Sequence, residues 1–201
     1  MINLLRKWFR FVGKLNRNQP PLGLIVHVLA SLIVILSIFL VVSIVFIDVA
    51  QVKGISMEPT LKADNRLIIF KSEGFFYRLI NGEYKPQRGD IVIFEKERSE
   101  HLIIKRIIGL PNERLVLENQ RLTIYNADFP QGFLLDNQKN LTSDFDIDEK
   151  FDIQVKRGEV FVIGDNRSFS TDSRIFGNIL IENIIGRVII RIWPVDQMKT
   201  F

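Results

Sequence analysis

Gly54-Ile55-Ser56-Met57-Glu58-Pro59-Thr60-Leu61 divides two different kinds of sequence. Before it, Leu22 to Ile47 runs without one Asp, Glu, Lys or Arg. After it, short apolar runs alternate with turn residues, the pattern of strands rather than of helices. Pro59 restricts its own φ and biases Glu58 toward extended backbone. Gly54 permits a positive φ or a close backbone approach. Two readings follow. The stretch is an ordinary turn with an exposed serine, or it holds the Ser56 hydroxyl out at the edge of a sheet.

The upstream run is too long for the apolar core of a cleaved signal peptide and has no A-x-A-like exit, since it leaves through Ile47-Asp48-Val49-Ala50. At about 1.5 Å per residue, 22–47 as a helix exceeds a ~30 Å hydrocarbon core. It is expected to be a retained transmembrane anchor. Charge sets the expected orientation. The chain has 27 Lys+Arg and 23 Asp+Glu, but Arg6, Lys7, Arg10, Lys14 and Arg17 precede the anchor with no acid among them. This places 1–21 as a cytoplasmic basic arm and 48–201 on the extracytoplasmic side. The arm is either a disordered topogenic tail or a segment lying along the membrane through Trp8, Phe9 and Phe11.

Without the arm, the body is close to neutral and carries no basic stripe, which argues against nucleic-acid binding. There is no cysteine, so disulfides and thiolate chemistry are excluded. Two histidines, His27 and His101, are too few for a His-rich metal site. Asp144, Asp146, Asp148 and Glu149 superficially resemble a calcium loop. They lack its glycine at the sixth position and its glutamate at the twelfth, so a solvated insertion is expected.

Strands are expected over Val49–Ile55, Arg66–Phe70, Ile91–Phe94, His101–Gly109, Glu159–Ile163 and Ile184–Trp193, with a hairpin of Arg114–Glu118 and Arg121–Tyr125 around Asn119-Gln120. Lys71 to Gln87 reads as a loop or short helix with an apolar tip at Phe75, Phe76 and Tyr77. Asn126 to Asp152 reads as acidic and irregular. The fold class is therefore mainly β: one N-terminal transmembrane helix, then a β-rich domain of coiled antiparallel sheets.

Few groups here can activate a serine. A lysine is one of them. In His101-Leu102-Ile103-Ile104-Lys105-Arg106-Ile107-Ile108 both faces are apolar, so at least one of the two adjacent cations is expected to be desolvated. Arg106 cannot release its proton, but Lys105 can. Bringing a lysine from 10.4 to near neutrality costs about 4–5 kcal/mol, so such burial needs compensation or a use. The alternative is that Lys105 snorkels to solvent and pairs with an acid. A third polar cluster runs from Gly164 to Arg174. It is either an ordinary Asx-rich loop or a rigid support beneath a site.

These stretches together carry a resemblance. Gly54 to Leu61, Arg88-Gly89-Asp90-Ile91-Val92-Ile93-Phe94, Lys105 to Pro111, and Gly164-Asp165-Asn166-Arg167 running to Ser170, Asp172-Ser173-Arg174 and Phe176-Gly177 resemble the four conserved boxes of type I signal peptidases, in the family's order and behind an anchor. The resemblance covers about 22–193. It implies a membrane-bound serine endopeptidase that removes signal peptides from exported preproteins, cleaving after small residues of the A-x-A type. Ser56 resembles the nucleophile and Lys105 the general base of a Ser/Lys dyad. Ser170 resembles the serine that orients the lysine, and Asp172 with Arg174 the supporting ion pair. The backbone N–H of Ser56 would serve the oxyanion. Gly54 stands where some members carry a serine as second donor, so that donor must come from elsewhere. The resemblance implies no cofactor and no metal, and as partners preprotein signal peptides and the lipid bilayer of a plasma or thylakoid membrane. It also implies a small inserted subdomain, taken here as 113–157. Phe75 to Tyr77 and Trp193 are either core aromatics or a surface resting on the outer leaflet. Two other readings stand beside this one. A LexA-type self-cleaving repressor would need a DNA-binding domain where the anchor lies. An inactive anchored β-scaffold would be favoured by loss of Ser56 or Lys105, and both are present.

Overall fold

The computed structural model describes residues 21–71, 84–95, 101–135, 145 and 149–201. The expectations for the N-terminal arm, for Phe75 to Tyr77 and for Asp144, Asp146 and Asp148 lie outside these residues.

The chain divides into two compact units, Met1–Ile44 and Val45–Phe201. Pro21–Phe46 is one continuous α-helix, about 39 Å long at 1.5 Å per residue. Its segment Gly23–Val41 has the length and composition to cross a membrane. Leu24, Leu32, Ile35 and Phe39 are each more than half exposed along it. Ser37 satisfies its hydroxyl inside the helix, donating to the Ile33 carbonyl at 2.8 Å.

The second unit holds two antiparallel sheets. The larger has the order β1-β2-β11-β3-β4-β9-β10, with β12 paired to β11. Its strands are β1 (Ile47–Gln51), β2 (Arg66–Lys71), β3 (Ile91–Phe94), β4 (Ile103–Gly109), β9 (Glu159–Ile163), β10 (Ile179–Leu180), β11 (Ile184–Trp193) and β12 (Lys199–Thr200). The smaller has the order β7-β6-β5-β8, built from β5 (Arg114–Glu118), β6 (Arg121–Tyr125), β7 (Phe133–Leu134) and β8 (Phe151–Gln154). The β5–β6 turn is Asn119-Gln120 with φ of 51° and 63°, the left-handed pair that a two-residue hairpin requires. Register shifts interrupt β11 against β2 and β3 and β4 against β9, and such bulges increase twist and coil the sheet.

The apolar runs of β3 and β4 are continuous because both strands are covered on both faces. Ile91 and Ile93 pack with Val52, Met57, Leu61, Leu67, Ile69 and Val188. Val92, Phe94 and Ile107 pack on the opposite side with Val160, Val162, Ile179 and Ile184. Ile108, Phe161 and Ile163 face a third core shared with Leu115, Leu117, Leu122 and Ile124 of the smaller sheet.

Three local expectations change. The first strand begins and ends earlier, at Ile47–Gln51, because Gly54 with φ of 88° starts a turn that an extended strand cannot contain. The segment 126–152 contains β7, paired with β6 in the register Phe133↔Ile124, and ends inside β8, which pairs with β5 in the register Phe151↔Leu117. The polar loop between Gly164 and Gly177 contains a 3-10 turn, Arg167–Phe169, and a helical turn, Ser173–Phe176.

Candidate active site

Val52, Met57 and Leu61 are buried in the core, and they fasten the turn that carries Ser56. The backbone closes the turn through Glu58 N to the Ile55 carbonyl and Leu61 N to the Met57 carbonyl. The Glu58–Pro59 peptide is cis. From the loop after β9, Asn166 donates its backbone N–H to the Ser56 carbonyl at 3.0 Å and its side-chain amide to the Ile55 carbonyl at 3.1 Å. With its neighbours held from both sides, Ser56 is left half-buried, facing a groove of about 800 Å³. Its N–H has no hydrogen-bond partner among the described residues.

Lys105 reaches this point from β4. It is only 4% exposed. Its Nζ lies 2.8 Å from Ser56 Oγ and donates to the Ile104 carbonyl at 3.0 Å. No acid among the described residues is paired to it, and its burial excludes the snorkelling alternative. Burial lowers its pKa from 10.5 to about 8, while the fields of Asp172 and Asp165 pull it upward. Arg106, the adjacent cation, points to the other face and is buried too. It is neutralised there by a two-toothed pair with Asp165, Nε to Oδ1 at 2.8 Å and Nη2 to Oδ2 at 2.7 Å. Its Nη1 donates to the Gly89 carbonyl. Alternation along one strand thus sends one cation to the groove unpaired and the other to a carboxylate.

Asp172 and Ser173 are completely buried. Asp172 accepts from Gly164 N at 3.0 Å and from Arg174 Nε and Nη2 at 2.8 Å each. Burial opposes its charged form, but Arg174, the Gly164 N–H and the nearby Ser170 hydroxyl outweigh burial and leave its pKa lowered. Ser173 Oγ accepts from Val162 N, which ties the loop to β9. Ser170 Oγ is buried and makes no hydrogen bond among the described residues. It sits close enough to Asp172 to act on its charge, yet the contact to Lys105 that the resemblance implies is not made. Gly164 explains how these parts fit. A Cβ there would stand 2.2 Å from Ser170 Oγ and 2.5 Å from the Ser56 carbonyl, so only glycine admits this approach.

Sequence reasoning quoted Arg106, Asp165, Asn166 and Gly164 inside the boxes without giving them roles. Hydrophobic alternation hinted at the buried Arg106, but nothing local announced Asp165 as its partner 59 positions away. The groove is lined by Ile93, Leu102, Ile103 and Phe176, together with His101 and the exposed Phe169. Among the described residues there is no cluster able to hold a metal ion.

The chain is 35% identical over 153 residues to signal peptidase I of Bacillus caldolyticus, covering 73% of this chain and 79% of that one. It is 36% identical over 148 residues to signal peptidase I V of Bacillus subtilis, covering 71% and 83%. A crystal structure of a signal peptidase I from Enterococcus faecalis is 30% identical, covers 52% of this chain and 97% of that chain, and superposes with a TM-score of 0.41. The family described as signal peptidase, peptidase S26, matches residues 25–193. The chain therefore belongs to the signal peptidase family S26.

Proposed function

We propose that this serine peptidase removes signal peptides through a Ser56/Lys105 dyad, and that the observation carrying this is a buried, acid-free lysine 2.8 Å from a serine hydroxyl. Neutral Lys105 accepts the Ser56 Oγ proton as Oγ attacks the scissile carbonyl. The carbonyl π electrons move to oxygen, and the free N–H of Ser56 donates to the resulting oxyanion. The oxyanion re-forms its double bond as the C–N bond breaks, and the Lys105 ammonium protonates the departing amine. The Ser56 ester is then hydrolysed by water, which gives a proton to Lys105 and restores Oγ–H as the cycle closes.

Asp172 and Arg174 support the dyad by fixing the loop beneath it, with Ser170 packed against Gly164 within that loop. The apolar groove favours an extended peptide with small side chains at the cut, the A-x-A pattern. The helix Pro21–Phe46 serves as the single-pass anchor, with residues 48–201 forming the extracytoplasmic domain and 113–157 its insertion. The nucleophile then follows the helix end by ten residues in the sequence.

The test uses the full chain in detergent with a preprotein bearing an A-x-A site. Cleavage should be lost in both Ser56→Ala and Lys105→Ala. Cleavage surviving in both sinks the dyad, and a wild-type protein that fails to cleave favours a scaffold.

A further inference from the structure

Glu149 belongs to none of the four boxes, yet it reaches the catalytic loop from the segment between β7 and β8. The Arg174 guanidinium explains why this matters. One edge, Nε and Nη2, grips Asp172 at 2.8 Å and 2.8 Å. Nη2 also donates to the Arg167 carbonyl at 2.7 Å. The remaining nitrogen, Nη1, faces Glu149 Oε1 at 3.1 Å and Oε2 at 3.3 Å. The Arg174 side chain is 12% exposed and that of Asp172 is fully buried. A planar fork gripped at both ends cannot rotate about its long axis. The carboxylate it grips is fixed in turn, and that carboxylate receives the Gly164 N–H against which Ser170 Oγ and the Ser56 carbonyl pack.

A second contact comes from the same segment. Phe145, in the core of the smaller sheet, stacks its ring 4.3 Å from the Arg167 guanidinium carbon. The insertion therefore touches the loop twice, at arginines either side of Ser170 and Asp172.

We infer that Glu149 is a positioning residue for the peptidase reaction, holding Arg174 so that Asp172 keeps the Gly164–Ser170 loop in register with Ser56. The inference rests on the Ser56/Lys105 reading. The charges that bear on it are Asp172 and Glu149 around Arg174, Arg167 and Arg174 beside Asp172, and Asp172 and Asp165 around Lys105. Arg106 already neutralises Asp165.

The experiment compares the full chain in detergent with Glu149→Gln and Glu149→Asp, reading kcat, KM and the acidic limb of kcat/KM on an A-x-A preprotein, with Tm as the folding control. Glu149→Gln should lower kcat about tenfold, the order of one buried charge-assisted hydrogen bond, with KM little changed. It should also move the limb to lower pH, because an Asp172 no longer held in place by Arg174 exerts less of its field on Lys105. Glu149→Asp should return the limb toward wild type. A limb that stays in place in Glu149→Gln overturns the inference whatever happens to the rate, since a merely structural contact would lower Tm without moving it. Ser56→Ala and Lys105→Ala run alongside: if both still cleave, the dyad falls and this inference with it, whereas inactive dyad variants beside an unmoved limb defeat the inference alone.

Discussion

Lys105 should make the protein less stable than it needs to be, and replacing it by methionine should show this. Burial lowers the lysine from 10.5 to about 8. At about 1.4 kcal/mol per tenfold in proton affinity, holding the ammonium in that site at neutral pH costs about 3 kcal/mol. Methionine has nearly the same length and no charge. It forfeits the contacts to Ser56 Oγ and the Ile104 carbonyl, each worth about 1 kcal/mol. Lys105→Met is therefore expected to be about 1 kcal/mol more stable at pH 7, a Tm rise of about 2–4 °C, while losing cleavage. The pH dependence carries the sign. The folded pKa lies below the unfolded one, so between about 8 and 10.5 the unfolded chain binds more protons and wild-type stability rises with pH. Below that window the full penalty stands, and above it the penalty is gone. The Tm advantage of Lys105→Met should accordingly shrink from pH 8 to 10.5 and then reverse. Near-UV circular dichroism of the full chain in detergent, scanned thermally at several pH values, measures this. A variant less stable than wild type by the same amount at every pH would refute the claim that Lys105 is held against its solvation.

With Lys105 as the proposed base, kcat/KM should climb about tenfold per pH unit up to about 8 and then level, whereas a limb well below that would take the base assignment away from Lys105. Gly164→Ala should cost cleavage activity by at least about a hundredfold, since its Cβ must displace Ser170 or the Ser56 carbonyl. Near-normal turnover in a preprotein assay would mean the loop has slack that the geometry denies. Arg106→Lys keeps the charge but loses the two-toothed grip on buried Asp165, with an expected cost of about 2–3 kcal/mol in urea unfolding. An unchanged midpoint would show that the pair is not needed for stability.

The strands with strong alternation or continuous apolar runs were legible at their true positions, β3, β5, β6, β9 and β11 among them. So was the hairpin turn, because Asn119 and Gln120 both take the left-handed backbone that asparagine tolerates. β8 does alternate, Phe151 and Ile153 against Asp152 and Gln154, but its two apolar residues are outweighed by the acidic run that precedes them. It exists because β5 offers it an edge. The end of β1 was misjudged because Val52 continues the apolar pattern while turning into the core beneath Ser56.

The order of chemistry along the chain belongs to the sequence: a charge-free helix, a serine turn soon after it, a lysine in an apolar strand, and a polar loop near the end. Residue type and local spacing determine these, since each depends on neighbours only a few positions away. Which of two adjacent cations would face the groove was not a local matter. Lys105 and Arg106 differ in fate because Asp165, 59 residues from Arg106, arrives on one face only. The lowered lysine pKa is a property of burial on every side, and Glu149 reaches Arg174 across 25 residues. Desolvation and long-range ion pairing depend on what surrounds a group in space, so only the folded chain decides them.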